Sequence, residues 1–595
     1  TKITLYGQEK DSATSGLARM NMILHDNEIA LIEQGNTLAN PLFLNDNGAL
    51  KTFDYVVANP PFSDKRWGNG VDAVGDIHGR FKDFGIPPSK NGDYAYLLHI
   101  IRSLKSKAKG ACILPHGVLF RGNAEAEIRT NIIRRGYIKG IIGLPANLFY
   151  GTGIPACIIV LDKENAHNRK GIFMIDASKG YMKDGPKNRL RSMDIHKIVE
   201  VFNKQLEIDK YSKMIPFAAI EKNEYNLNIP RYIDSQEPED IQDIEAHLLG
   251  DIPNADIDAL ENYWMVYPTL KTTLFGKSKR AKYSKLKVEK DLIKQTIFEH
   301  PEFAAFAKKM NALFTKWKKK SAGCLKALQA GAKPKEVIFD LSESLLAQYT
   351  GKKLIDKYDV YQHLMNYWDE VMQDDCYIIA VDGWKAETYR ILVENKKKKM
   401  VDKGWTCDLI PKELVINRFF VEDKQAIEAL AAESETIAGK LTELEEEHSG
   451  EDGVFAELDK VSKGNAQKLL KELKNETDAK KEIKIVETYL DLIKKQAVAK
   501  KQIKEAQADL DNKLYAKYPA LSEDEIKTLV VDDKWMTAME KEIRTEMDRI
   551  SQRLTQRVKE LAERYETPLP IQTTEVSKLE KRVNAHLKKM GFSWK

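Results

Sequence analysis

The strongest constraint on this chain is a pair of prolines set directly after an apolar run. Residues 53–58 read Phe-Asp-Tyr-Val-Val-Ala, and Asn59-Pro60-Pro61-Phe62 follows. The run reads as a buried strand. Two prolines cannot continue a central strand, so the tetrapeptide belongs at its carboxyl end. In open α/β sheets, ligands bind at that end of the strands. The surroundings fit such a sheet. Across 1–235, strand candidates at 3–6, 30–33, 55–58, 111–114, 138–144, 157–161 and 172–175 alternate with amphipathic helices such as 14–25 and 94–107. Strand-then-helix alternation predicts an α/β, largely parallel, doubly wound sheet. Strands 138–144 and 157–161 are separated only by the loop 145–155. That loop is too short for a parallel crossover, so this pair is expected to be an antiparallel hairpin at the sheet's edge.

The tetrapeptide suits one reaction especially well. An exocyclic amine on an aromatic ring is a poor nucleophile, because its lone pair is delocalised. A site that accepts hydrogen bonds from both N–H groups helps to localise that pair on nitrogen. Asn59 offers a side-chain carbonyl and Pro60 a backbone carbonyl, with the proline φ angles of Pro60 and Pro61 holding the segment rigid. Phe62 offers a flat face on which a base can stack. A base inside a duplex has to flip out to reach such a pocket. The aimed nitrogen could then attack an S-adenosyl-L-methionine methyl in line, with no metal, the rate coming from positioning and electrostatics. A rigid turn closing a core strand is the alternative reading of the same residues.

Two further strand ends carry polar groups. Glu9 closes Tyr6-Gly7-Gln8-Glu9, where a carboxylate can accept hydrogen bonds from both ribose hydroxyls of a nucleoside cofactor. Asn36, in Gln34-Gly35-Asn36-Thr37, can bond an adenine edge. A glycine-rich strand-to-helix turn, which would let backbone approach the cofactor closely, is not found upstream of Glu9. The chain opens on Thr1 and enters a strand almost at once, as a chain whose beginning is missing would.

Composition bounds the rest. At 595 residues the length predicts three or four domains. A 31% charged content points to long exposed helices, and a net charge of +5 is small for a dedicated DNA-wrapping protein. The five cysteines form no C-x-x-C pair, which argues against a disulfide framework or a zinc site. No signal peptide or membrane-length apolar run is present, so a cytoplasmic location away from membranes is expected. After the α/β domain at 1–235, residues 236–420 read as mainly helical. They carry lysine runs at 277–283, 316–320 and 396–399 that suit phosphate contact or solvated helix faces. Residues 421–515 carry heptads. Ile427, Leu430, Ser434, Ile437, Leu441 and Leu444 form one seam. Val486, Tyr489, Ile493, Gln496, Lys500, Ile503, Gln507, Leu510 and Leu514 form a second. The simplest architecture is an antiparallel helical hairpin or coiled coil. Residues 516–595 read as a further helical region suited to partner docking.

Tyr6-Gly-Gln-Glu9, Leu17-Ala-Arg-Met-Asn-Met22, Gly35-Asn-Thr-Leu38, Asn59-Pro-Pro-Phe62, Asp93-Tyr-Ala-Tyr96 and Asn147-Leu-Phe-Tyr-Gly151 occur in this order. Together they resemble the modification subunit of type I restriction–modification systems, an N6-adenine DNA methyltransferase. Asn226-Leu-Asn-Ile-Pro-Arg-Tyr232 resembles the segment that closes that subunit's catalytic domain. The resemblance implies a class I, Rossmann-like methyltransferase sheet followed by a long helical, coiled-coil region. It implies that Asn59 and Pro60 hold the adenine amino group and that Phe62 stacks on the base, while Phe149 either completes the base pocket or is a core phenylalanine. Glu9 would bind the cofactor ribose and Asn36 would sit near its adenine. It further implies S-adenosyl-L-methionine as cofactor, and as partners double-stranded DNA, a specificity subunit, a second modification subunit and a restriction subunit. The family's N-terminal helical domain and glycine-rich loop would precede Thr1. Two other functions remain open: a non-catalytic anti-phage or assembly scaffold, and methylation of RNA or of a protein glutamine.

Overall fold

The computed structural model describes residues 3–236, 240–394, 398–450, 452–476 and 479–592. It divides into two compact units, Thr1–Asp243 and Ile244–Lys595.

The first unit is a mixed α/β structure. Strands β1 (Tyr6–Glu9) and β2 (Leu31–Gln34) pair in parallel around helix α1 (Ser12–Leu24). Asp11 caps α1, its carboxylate accepting the Thr14 N–H at 2.8 Å. Six more strands form the main sheet: β3 (Phe53–Ala58), β4 (Leu104–Pro115), β5 (Ile138–Gly143), β6 (Ala156–Asp162), β7 (Gly171–Asp176) and β10 (Ser212–Pro216). Their order is β10-β7-β5-β6-β4-β3. β3 runs parallel to β4 and β5 parallel to β7, whereas β6 is antiparallel to both β4 and β5. The β5–β6 pair is antiparallel, as its short loop requires. It is not the edge of the sheet, because β7 and β10 extend the sheet beyond it.

Three elements differ from the sequence reading. The first strand begins at Tyr6, not residue 3, because its ladder with β2 starts at the Tyr6–Leu31 pair; the Tyr6 ring packs against Phe43 and Phe53, at 5.2 and 5.3 Å. The helix expected at 94–107 is α2 (Asp93–Ser103), and Leu104 already begins β4. Lys163 ends that helix, its ammonium donating to the Ile101 and Leu104 carbonyls at 2.6 and 2.9 Å. From Lys107 onward the exposed Lys107 and Lys109 alternate with the buried Ala108, Gly110 and Cys112, the period of a strand and not of a helix. Finally, β3 is an edge strand rather than a buried one. Val56 and Ala58 pack on the core, but Tyr55 and Val57 are 74% and 80% exposed.

The core lies between the sheet and helices α2 and α3 (Ala124–Arg134), where Leu97, Leu98, Ile128 and Ile132 meet Cys112, Leu114 and Ile141. Two short strands, β8 (Met182–Asp184) and β9 (Lys187–Arg189), make a small hairpin not evident from the sequence.

The second unit is largely helical. Helices Val421–His448 and Lys480–Lys517 pack side by side. Lys513 reaches Asp423 at 2.8 Å and the Tyr489 hydroxyl donates to Glu445 at 2.6 Å, so the two run antiparallel. Val486, Tyr489, Leu510 and Leu514 of the second heptad seam are buried, but at its centre Ala499 is buried and Lys500 is exposed. The lysine runs have varied settings. Lys277 and Tyr283 lie in a small antiparallel sheet, and Lys318 pairs with Glu540 at 3.0 Å. Lys396 and Lys397 lie outside the described residues. A hairpin of Tyr389–Glu394 and Met400–Thr406 interrupts the helices expected there. No helix among the described residues is long and apolar enough to cross a membrane.

Candidate active site

The tetrapeptide follows β3 directly. Asn59 is exposed, Pro60 buried, Pro61 exposed and Phe62 half-buried. The chain then reverses at Ser63, whose φ of +52° is a left-handed conformation unusual for a residue with a side chain. The Asp93 carboxylate accepts the Ser63 N–H at 2.7 Å and so holds the reversal. The turn is closed by Gly92, whose N–H donates to the Asp64 carbonyl at 3.0 Å.

The β5–β6 loop packs beside this turn. Phe149 presents its ring edge-on to Phe62, with centroids 5.6 Å apart and planes at 78°. Two residues missed in the sequence hold this loop. The Lys187 ammonium donates to the Phe149 and Thr152 carbonyls at 2.8 and 3.1 Å. The buried Asn188 side chain donates to the Ala146 carbonyl at 2.6 Å, and its backbone N–H to Asn147 at 2.9 Å. Both lie on β9, nearly forty positions from the loop, and nothing local in the sequence marks them.

Glu9 is the last residue of β1. One of its carboxylate oxygens accepts the Asp11 N–H at 2.9 Å. Close by, the Tyr96 hydroxyl donates to Asp64 at 3.2 Å. Burial, then the Asp64 and Glu9 carboxylates, hold the Tyr96 phenol well above its ordinary range, so it acts as a donor. Asn36 also serves its own loop. Its side-chain oxygen accepts the Leu38 and Ala39 N–H groups at 3.0 and 3.2 Å, which shapes its own loop and leaves the amide nitrogen as the group it can offer outward. No grouping of His, Cys, Asp and Glu among the described residues could hold a metal ion.

An acid thus ends β1, a polar turn ends β3, and the Phe149 ring lies against Phe62 beside that turn. Residues 1–241 match the family model described as N-6 DNA Methylase. Over this span the resemblance drawn from the motifs is borne out. The chain is 32% identical over 269 residues to the type I restriction enzyme MpnII methylase subunit of Mycoplasma pneumoniae, covering 43% of this chain and 48% of that one. It is 34% identical over 251 residues to the MjaVII methylase subunit of Methanocaldococcus jannaschii, covering 40% and 42%. The chain thus spans about half, or less, of the length of the curated relatives it matches. Among solved structures, the methyltransferase subunit of a type I restriction–modification system from Streptococcus thermophilus is 36% identical. It covers 39% of this chain and 54% of that one, with a TM-score of 0.36.

Proposed function

We propose that the chain is the modification subunit of a type I restriction–modification complex, a DNA methyltransferase acting on adenine N6. One observation carries this reading: Asn59-Pro60-Pro61-Phe62 ends β3 with the Phe149 ring edge-on to Phe62, inside the span that matches the methylase family. In the proposed mechanism a flipped adenine stacks on Phe62, and Phe149 bounds the pocket. The Asn59 side-chain oxygen and the Pro60 carbonyl accept the two N6 hydrogens and steer the nitrogen lone pair towards the methyl group. S-adenosyl-L-methionine supplies that methyl when bound. The residues present fit part of the cofactor. The Glu9 carboxylate is an acceptor suited to the ribose hydroxyls, and the Asn36 amide nitrogen suits an adenine edge.

The partners proposed are double-stranded DNA, a specificity subunit that selects the sequence, a second modification subunit and a restriction subunit. We assign 1–235 to catalysis, 236–420 to a helical connecting region, 421–515 to the helical hairpin and 516–595 to partner docking. Calorimetry with S-adenosyl-L-methionine on the product of the complete gene tests the cofactor half of this reading. Asn59→Ala is expected to bind as the unaltered protein does. Glu9→Ala is expected to bind about ten-fold more weakly, the loss of a charge-assisted hydrogen bond. Failure of the unaltered protein to bind with DNA and the specificity subunit present would sink the reading.

A further inference from the structure

We infer that Asp93 and Arg121 are positioning residues for the base-holding turn, an inference that rests on the function proposed above. Asp93 opens α2 and is fully buried. Its two oxygens do different work. Oδ1 accepts the Ser63 N–H at 2.7 Å, one residue beyond Phe62. Oδ2 accepts Arg121 Nη1 at 2.8 Å and lies 3.5 Å from the Ser63 hydroxyl. Arg121 is shared with a second buried carboxylate, Glu125 Oε1, at 3.1 Å. The arginine is itself held from behind. The buried Arg129 donates to the Arg121 and Val118 carbonyls at 2.9 and 3.1 Å, and its Nε donates to the Tyr225 carbonyl at 2.8 Å. A line of charge-assisted bonds therefore runs from the segment at Tyr225, through α3 and the loop after β4, to the turn that carries Phe62.

The need for a carboxylate follows from the pattern of donors. Ser63 and Arg121 present Asp93 with donors only, two N–H groups and the Ser63 hydroxyl, and a carboxylate is an acceptor on both oxygens. An asparagine would have to aim its NH₂ at one of them, so the isosteric change sets donor against donor. Ser63 in turn occupies a conformation that glycine adopts without steric cost and serine does not. Asp93 supplies what keeps it there. A displacement of the turn would move Asn59 and Pro60 relative to the methyl acceptor, and an error of about 1 Å in such a geometry can cost on the order of a hundred-fold in rate.

The test uses the protein from its complete gene, with its specificity subunit, in three forms: unaltered, Asp93→Asn, and Asp93→Asn combined with Ser63→Gly. Hydrogen exchange is read at residues 58–64 and methylation kinetics on duplex DNA. Asp93→Asn is expected to speed exchange at Phe62, Ser63 and Asp64 about ten-fold, with the rest of the sheet unchanged. It should lower kcat at least about ten-fold while KM for DNA and cofactor stay within about two-fold. Ser63→Gly should recover part of that kcat. Unchanged exchange and kcat in Asp93→Asn would overturn the inference. So would loosening of the whole unit without rescue by glycine, or an effect confined to KM. If the unaltered protein makes no N6-methyladenine, the proposed function falls, and the exchange data alone still decide whether Asp93 holds the turn.

Discussion

Phe62 and Phe149 meet edge to face, a geometry worth about 0.5–1.5 kcal/mol beyond simple burial. Phe149→Ala should therefore lower kcat/KM on DNA by roughly three- to ten-fold and leave cofactor affinity unchanged. Steady-state methylation with varied DNA, beside a cofactor titration, checks both halves. The two aromatics differ in how readable they were. Phe62 announces itself because two prolines beside it exclude most other conformations. Phe149 stood out only through its family-like loop, and a core phenylalanine would have looked the same. Asp93, Lys187 and Asn188 act on partners about thirty to forty positions away, and no local pattern encodes such a pairing. Asn36 shows the opposite difficulty. Its residue type suits an adenine edge, yet its oxygen is taken by the N–H groups of its own loop.

The loop between β5 and β6 is held in part by β9. Lys187→Met keeps the aliphatic stem but removes both carbonyl contacts, at a cost of about 1–2 kcal/mol. Denaturant unfolding should register that loss, and kcat should fall with it if the loop walls the base pocket. Gly171 tests the far side of the sheet. A Cβ there would lie 2.4 Å from the Ile215 carbonyl oxygen, in the β7–β10 ladder. Gly171→Ala should cost about 1–3 kcal/mol by overpacking, read as a lower unfolding midpoint. Most central strands were legible because β-branched residues cluster between turn signals. The strand 104–110 was not, because its three lysines resemble a solvated helix until their spacing of two is noticed. The β8–β9 hairpin is three residues a side, too short for any period to stand out.

Across the second unit, charge networks join helices distant in sequence. His363 sits between Glu542 and Glu546, at 3.0 and 3.4 Å. The hydrogen bond to Glu546 is the leading cause that raises the His363 pKa above its ordinary value, against burial. A histidine bound more tightly to its proton in the folded state contributes stability that is fully present below about pH 6.5. That contribution is lost as pH rises through the raised folded value. His363→Gln should therefore flatten the fall in stability between mildly acidic and alkaline pH, measured as the unfolding midpoint across that range. An unchanged slope would mean other groups carry it. The heptads made the antiparallel helix pair readable, although the packing slips by one residue at Ala499 where polar residues interrupt the seam.

The destination of the methyl group decides the function of the whole molecule. Duplex DNA incubated with labelled S-adenosyl-L-methionine and the full-gene protein with its specificity subunit, then digested to nucleosides, answers that directly. The unaltered complex should place label on N6-methyladenine, and Asn59→Ala should place essentially none there while still binding cofactor. Undiminished N6-methyladenine from Asn59→Ala would contradict the role given to the β3 turn. Label found only in RNA or on a protein glutamine would contradict the substrate.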